Sequence, residues 1–109
     1  MTSNEIMLRL RDHGGREVLV MGPKLMGVDF GTGGCKATII DTTGRVLGSA
    51  YEEYTTQYPH PGWSEQNTED WITAFIDTVK ECLQQSGIDG NELAGLALTA
   101  STHNAVLVD

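Results

Sequence analysis

The sequence predicts an α/β fold: an antiparallel meander of three strands, then one helix, then a strand parallel to the first. Three observations lead to this prediction. Short apolar runs separated by glycine-containing turns occupy residues 24–54. Apolar residues repeat at helical spacing over residues 67–86. A continuous apolar run over residues 93–99 follows that helix, as expected for a strand reached by a crossover.

The meander consists of strands over residues 24–30, 35–40 and 45–54. The first connection is rich in glycine, which we expect to supply the positive φ of a tight reversal. The second connection begins at Asp41, whose side chain should cap the turn, and ends at Gly44 in the left-handed region. On the third strand, we expect Val46 and Leu47 to face the core.

The helix has clear signals at both ends. Asn67 is a good N-cap, and Ser86-Gly87 is typical of a left-handed C-terminus. One apolar face is predicted to form core scaffold and not to contact a cofactor. Its members are Trp71, Ile72, Phe75, Ile76, Val79 and Leu83.

The remaining segments are predicted to form a loop, two further strands and an N-terminal extension. Residues 57–66 contain two prolines and should form a loop, with Tyr58 and Trp63 holding it against the body. Residues 93–99 suit a strand covered on both faces, and residues 105–108 should begin another strand. Residues 1–23 are expected to be a flexible extension without a regular element.

Composition narrows the class of protein. The chain has 109 residues, enough for one domain at most, and a formal net charge of −8, which disfavours a nucleic acid or an anionic membrane surface as partner. No apolar run is long enough to span a bilayer, and no signal peptide is evident, so a cytoplasmic location is expected. Cys35 and Cys82 are expected to be free, buried thiols and not a disulfide.

The first hairpin turn has the composition of a phosphate site. Glycines surrounding Thr32 leave backbone N–H groups uncovered, and converging amides attract phosphate oxygens. Asp29 ends the preceding strand and could hold a divalent cation. A Walker loop and a dinucleotide fingerprint are both excluded, the latter because Lys36 stands where its third glycine belongs. An ordinary turn remains an equal alternative on this pattern alone.

Four motifs, taken in order, resemble the N-terminus of the FGGY carbohydrate kinases and, among these, the xylulokinase branch. They are Gly27-Val28-Asp29-Phe30-Gly31-Thr32, Tyr58-Pro59-His60-Pro61-Gly62-Trp63-Ser64-Glu65-Gln66, Asp70-Trp71 and Thr102-His103. The resemblance covers residues 24–109 and is most specific in the second motif. It implies a ribonuclease-H-like (actin-like ATPase) fold, of which this chain is the first part of domain I.

The resemblance also implies a chemistry: ATP-dependent phosphorylation of a sugar or polyol, with Mg²⁺. The general-base aspartate is expected beyond Asp109, so the chain alone should be inactive. Neither nucleic acid nor membrane is an expected partner, and a homodimer is one arrangement open to the whole protein. The implied residues are Asp29 for metal and phosphates, Gly31, Thr32, Gly33, Gly34 and Lys36 for nucleotide phosphates, and Thr102 and His103 for sugar hydroxyls.

Two further functions stay open. The chain could be a truncated relative that binds a sugar or a partner chain without catalysis. It could also belong to a different ATPase of the actin-like superfamily, which the proline-containing loop disfavours. In xylulokinases, Gln-Met-His-Gly usually stands where this chain has residues 101–104, so the shape of the sugar pocket is expected to differ.

Overall fold

The computed structural model describes residues 8–11, 14–20, 22–101 and 104–107. In chain order the elements are β1 (Leu8–Arg11), β2 (Glu17–Val20), β3 (Lys24–Phe30), β4 (Gly34–Asp41), β5 (Val46–Glu53), β6 (Thr56–Gln57), β7 (Glu65–Gln66), α1 (Thr68–Ser86), a 3-10 turn (Gly90–Glu92) and β8 (Leu93–Ala100). The central sheet has the order β5-β4-β3-β8. Strand β3 is antiparallel to β4 and parallel to β8, so the predicted meander, helix and parallel strand are confirmed.

Helix α1 begins and ends as its capping residues predict. The Asn67 side chain accepts a hydrogen bond from the Glu69 amide at 3.0 Å. Gly87 adopts φ 68° and its amide donates to the Gln84 carbonyl, which closes the last turn. These caps satisfy backbone groups that a helix end otherwise leaves open.

The helix packs on β4 and β5 through small, buried side chains and through four members of the predicted face, Trp71, Phe75, Val79 and Leu83, which are half-buried against the core. The prediction is wrong for the other two members, Ile72 and Ile76. Ile72 and Ile76 are 60% and 43% exposed. At Gly48 of β5, an added Cβ would lie 2.9 Å from the Cys82 carbonyl oxygen, so the backbones approach too closely for large residues between them. The fully buried positions of α1 are Ala74, Thr78, Cys82 and Ser86.

The core lies between α1 and one face of the sheet. Alternate residues of β3 point into it, and Met26 and Val28 are each 2% exposed. Both cysteines are buried free thiols, as predicted. Leu47 is buried, but Val46 is 48% exposed, so the prediction for Val46 is wrong. An irregularity in the β4–β5 pairing next to Ile40 brings Val46 opposite that residue.

Strand β8 is parallel to β3 as predicted, but beyond Leu93, which packs against the core, the described residues leave most of it exposed. Leu96 and Leu98 are 48% and 60% exposed, because α1 packs over β4 and β5 instead. The described residues therefore do not provide the expected covering of both faces. Residues 104–107 contain no strand, so the described part of the strand predicted over 105–108 is also wrong.

Residues 8–20 contain a hairpin where no regular element was predicted. β1 pairs antiparallel with β2, and Gly15 adopts φ 79° at the turn. The alternating Leu-Arg-Leu-Arg sequence of β1 has the period of a strand, although the following Gly14-Gly15 pair is unfavourable for a helix. His13 lies outside the described residues.

Residues 58–64, which we call the proline loop, project from a short ladder formed by β6 and β7. Tyr58 is 74% exposed and Trp63 is 55% exposed, so the prediction that both hold the loop against the body is wrong. Trp63 instead meets the ring of His60 edge-on, with centroids 4.8 Å apart. Within the described residues, no helix combines the length and apolar character needed to cross a membrane.

Candidate functional site

The turn between β3 and β4 closes through a hydrogen bond from the Gly31 amide to the Gly34 carbonyl, 2.9 Å long. None of its glycines has a positive φ, so the expectation of left-handed glycines here is wrong. Glycine is needed at Gly34 for space. A Cβ there would lie 2.4 Å from the Tyr51 hydroxyl and 2.6 Å from the Glu52 carbonyl oxygen.

The carbonyl groups of this turn are bound from two directions. The Gly33 carbonyl accepts from the Tyr54 amide at 3.0 Å. The Thr32 carbonyl accepts from the Gln66 side-chain amide at 2.9 Å. Within the described residues, the amides of Thr32 and Gly33 donate to no protein group. The turn therefore has two backbone N–H groups without an acceptor among the described residues, next to two carbonyl groups that are hydrogen-bonded.

One row of side chains crosses the sheet beside this turn, on the face opposite α1. Asp29 of β3 lies directly opposite Lys36 of β4. Lys36 pairs in register with Tyr51 of β5, and Asp29 with Thr99 of β8. Directly opposed residues project to the same face, so one carboxylate, one ammonium and two hydroxyls share this row. All four residues are exposed.

Beneath the turn, on the core side, the polar groups are unreactive. Burial raises the pKa of Tyr54 to about 12, and the nearby Cys35 and Asp29 add to that shift. Burial likewise raises the pKa of the Cys35 thiol. Both side chains therefore stay protonated and neutral near pH 7.

The structure brings most of the predicted site residues together. Asp29 and Lys36 flank the turn, and the loop residues Gly31, Thr32, Gly33 and Gly34 form it. Thr102 and His103, predicted to contact sugar hydroxyls, lie outside the described residues. Gln66, whose side chain bonds to the Thr32 carbonyl of the turn, was not predicted from the sequence as a site residue. Its position as the last residue of the Trp-Ser-Glu-Gln motif was the available signal.

Asp29 supplies an exposed carboxylate for a divalent cation here. Within the described ranges, no cluster of three or more His, Cys, Asp or Glu residues could hold a metal by itself. Mg²⁺ usually binds through one or two carboxylates together with substrate phosphates and water. Asp29 beside free amides therefore fits a cation that arrives with a polyphosphate.

The proline loop encloses a second concave surface, which is separate from this site. Its lining consists only of the loop's own residues, 58–64, and includes none of the residues of the β3–β4 turn. His60 lines this depression and its ring contacts that of Trp63.

Comparison with known proteins identifies the family. The sequence profile of the N-terminal domain of the FGGY family of carbohydrate kinases matches residues 24–109. Glycerol kinase of Xylella fastidiosa (strain M23) is 34% identical over 85 residues, covering 78% of this chain and 17% of the relative. The chain therefore spans about one sixth of the length of such relatives.

Solved structures give the same result. A xyloylose kinase from Brucella ovis superposes with a TM-score of 0.68 at 32% identity, covering 73% of this chain and 17% of that one. A xylulose kinase from Rhodospirillum rubrum has the same fold, with a TM-score of 0.65 at 22% identity over 72% of this chain and 16% of that one. These structural neighbours are sugar kinases of the actin-like ATPase fold, as the sequence predicted. The chain belongs to the FGGY family of carbohydrate kinases, and residues 24–109 match the family's N-terminal domain.

Proposed function

We propose that this chain supplies the phosphate-binding hairpin of an ATP-dependent carbohydrate kinase, which transfers a phosphoryl group to a hydroxyl of a sugar or polyol. One observation carries the proposal: free amides at Thr32 and Gly33 lie beside the exposed carboxylate of Asp29. Amides attract phosphate oxygens, and the carboxylate would hold the Mg²⁺ that accompanies them.

Each residue would have a distinct task. The amides of Thr32 and Gly33 would bind oxygens of the terminal phosphate. Lys36, opposite Asp29, would neutralise charge on the transferring group. In phosphoryl transfer, positioning and charge stabilisation supply most of the rate acceleration. Asp29 would hold the Mg²⁺, which would supply positive charge to offset that of the phosphates. The general base would come from a part of the protein beyond residue 109.

The acceptor belongs to the class of small polyhydroxylated molecules. Similarity to a glycerol kinase and to a xyloylose kinase at nearly equal identity supports this class and does not favour either acceptor. Thr102 and His103 would contact acceptor hydroxyls. We place the enzyme in the cytoplasm, where ATP and phosphorylated sugars are retained.

The test is an acceptor screen on the whole protein. Glycerol, D-xylulose and a panel of ketoses, aldoses and polyols are assayed for ATP-dependent ADP release, and binding is followed by thermal shift with a nucleotide. We expect turnover with one acceptor class, and His103→Ala should raise the acceptor KM while leaving the nucleotide KM unchanged. ADP release with none of these acceptors, together with no nucleotide-induced thermal shift, would reject the proposal.

A non-catalytic role is the second candidate. If the natural chain ends at Asp109, half of the cleft is missing and no phosphoryl transfer is expected. The distinguishing result is acceptor or partner binding without ADP release by the natural protein.

A further inference from the structure

We propose that Gln66 is a positioning residue for the phosphate turn: its side chain sets the orientation of the Thr32–Gly33 peptide and so directs the Gly33 amide towards the nucleotide. This inference rests on the proposed function, because it assigns a task to a residue outside the phosphate contacts themselves.

The Gln66 side chain makes three hydrogen bonds to three different segments. Its Nε2 donates to the Thr32 carbonyl and to the Thr56 hydroxyl, both at 2.9 Å. Its Oε1 accepts from the Trp71 indole N–H at 2.9 Å. Both Nε2 protons and the carbonyl oxygen are therefore in use. The side-chain amide can have only one orientation, because a flipped amide would face the indole donor with another donor.

The bond to Thr32 determines where the next amide points. A peptide is planar and trans, so the carbonyl of Thr32 and the N–H of Gly33 point in opposite directions. The Gln66 side chain bonds both to that carbonyl and to Trp71 of α1, so it lies on the helix side of the turn. The Gly33 N–H is therefore directed away from the Gln66 side chain.

Glycine makes such an anchor necessary. A peptide between Thr32 and Gly33 can rotate more freely than one between residues with β-carbons, because glycine has few steric restrictions. An added Cβ at Gly33 would have only the Tyr51 hydroxyl nearby, at 4.0 Å, so packing does not hold this peptide. The hydrogen bond from Gln66 holds one side of it, and the Tyr54 amide holds the next carbonyl.

Two substitutions in the whole protein test the assignment. Gln66→Met removes all three hydrogen bonds at similar volume, whereas Gln66→Glu keeps an acceptor for Trp71 and loses the donor for Thr32. We expect each to raise the KM for ATP, and the Kd of a non-hydrolysable ATP analogue with Mg²⁺, by about tenfold, the loss of one hydrogen bond in a partly buried site. The acceptor KM should change by less than about twofold, since the acceptor does not contact this peptide.

Gln85→Met is the matched control, because Gln85 is exposed on α1 and bonds only to Glu81, four residues away. It should leave the nucleotide and acceptor constants and the Tm unchanged. If Gln66→Met does not fold, the test rests on Gln66→Glu, in which a wild-type nucleotide KM overturns the inference. A nucleotide KM that stays at the wild-type value, or that changes in parallel with the acceptor KM, overturns the inference. An effect in Gln66→Glu with none in a folded Gln66→Met also overturns it, since the added charge would then be the cause.

Failure of this inference is distinct from failure of the proposed function. If the wild-type protein neither binds the ATP analogue nor releases ADP with any acceptor, the proposed function is rejected. If the wild-type protein does both and the Gln66 variants match it, only the positioning role is rejected.

Discussion

Strand β4 has a turn at each end, and the two turns differ in whether their backbone amides are hydrogen-bonded. In the turn after β4, Asp41 Oδ1 accepts hydrogen bonds from the amides of Thr43 and Arg45, at 2.9 and 3.0 Å, and from the Thr43 hydroxyl. In the turn before β4, the bonds from Gln66 and Tyr54 go to carbonyls, and the amides of Thr32 and Gly33 stay free among the described residues.

The difference separates a turn that stabilises the fold from a turn suited to bind an anion. A carboxylate placed within the Asp41 turn already occupies the position that a phosphate oxygen would take. In the other turn the carboxylate of Asp29 lies outside the amides, on the neighbouring strand. An anion site is therefore indicated by two features together: backbone amides without an acceptor among the described residues, and a nearby carboxylate that can hold a cation.

The largest expected effect is at the two aspartates. In the whole protein, Asp29→Ala should lower kcat by about a hundredfold through lost alignment of the metal and phosphates, with the Tm unchanged. The matched variant Asp41→Ala should lower the Tm and leave kcat unchanged at a temperature where it is folded. Near-wild-type turnover in Asp29→Ala would show that the two turns do not differ in function.

The glycines of the first turn provide the next test. Gly34→Ala should destabilise the fold by about 1–3 kcal/mol, because its new Cβ would meet the Tyr51 ring and a backbone carbonyl that cannot move aside. Gly33→Ala, whose Cβ has a neighbour only at 4.0 Å, should change stability by less than about 0.5 kcal/mol. Urea unfolding of both variants measures the contrast, and equal losses would contradict it.

Removing the cap of the second turn by Asp41→Ala should cost about 2 kcal/mol, because the amides of Thr43 and Arg45 lose their acceptor. Burial opposes ionisation of Asp41, but hydrogen bonds from Thr43 and Arg45 outweigh it and lower the pKa of this carboxyl.

A lowered pKa fixes the pH dependence of this contribution. It is fully present above the pKa of an unfolded aspartate, about 3.9, and is lost as pH falls through the lower pKa of the folded protein. The difference in unfolding free energy between wild type and Asp41→Asn should therefore narrow below about pH 4. A difference that stays constant from pH 7 to pH 3 would argue against the ionised cap.

The smallest effect is expected at Gly44, which has φ +84° and open space around its Cβ position. Gly44→Ala should cost about 1 kcal/mol, purely from the left-handed backbone. Gly44→Asn should recover part of that loss, since asparagine tolerates this region. If thermal melts show no loss in either variant, the glycine at this turn is not required for its conformation.

The parts of the fold that local chemistry controls were predictable. Asn67 and Gly87 mark the helix ends by hydrogen bonds within a few residues, and Asp41 closes its turn in the same local way. The burial of α1 was predictable only in part from periodicity, because Trp71, Phe75, Val79 and Leu83 pack against the core but the buried positions are small residues. Ile72 has the hydropathy of a core residue, yet it is exposed because Gly48 admits the helix along its small-residue face.

The site shows the same division. Asp29 and Lys36 could be assigned from one contiguous motif, since a hairpin brings neighbours in sequence opposite one another. Gln66 contacts Thr32 across 34 residues of sequence, and no local pattern encodes that contact. The exposure of Tyr58 and Trp63 also depends on residues distant in sequence, so it could not be inferred from their size alone.

The two buried cysteines make the seam between helix and sheet accessible to measurement. Cys35 follows the phosphate turn and Cys82 faces Gly48, and both have 0% exposure and a pKa raised by burial. An alkylating reagent reacts with the thiolate, so it can modify either one only when the seam opens. Residue-specific labelling rates would thus report opening of the seam at two neighbouring positions, with no engineered probe.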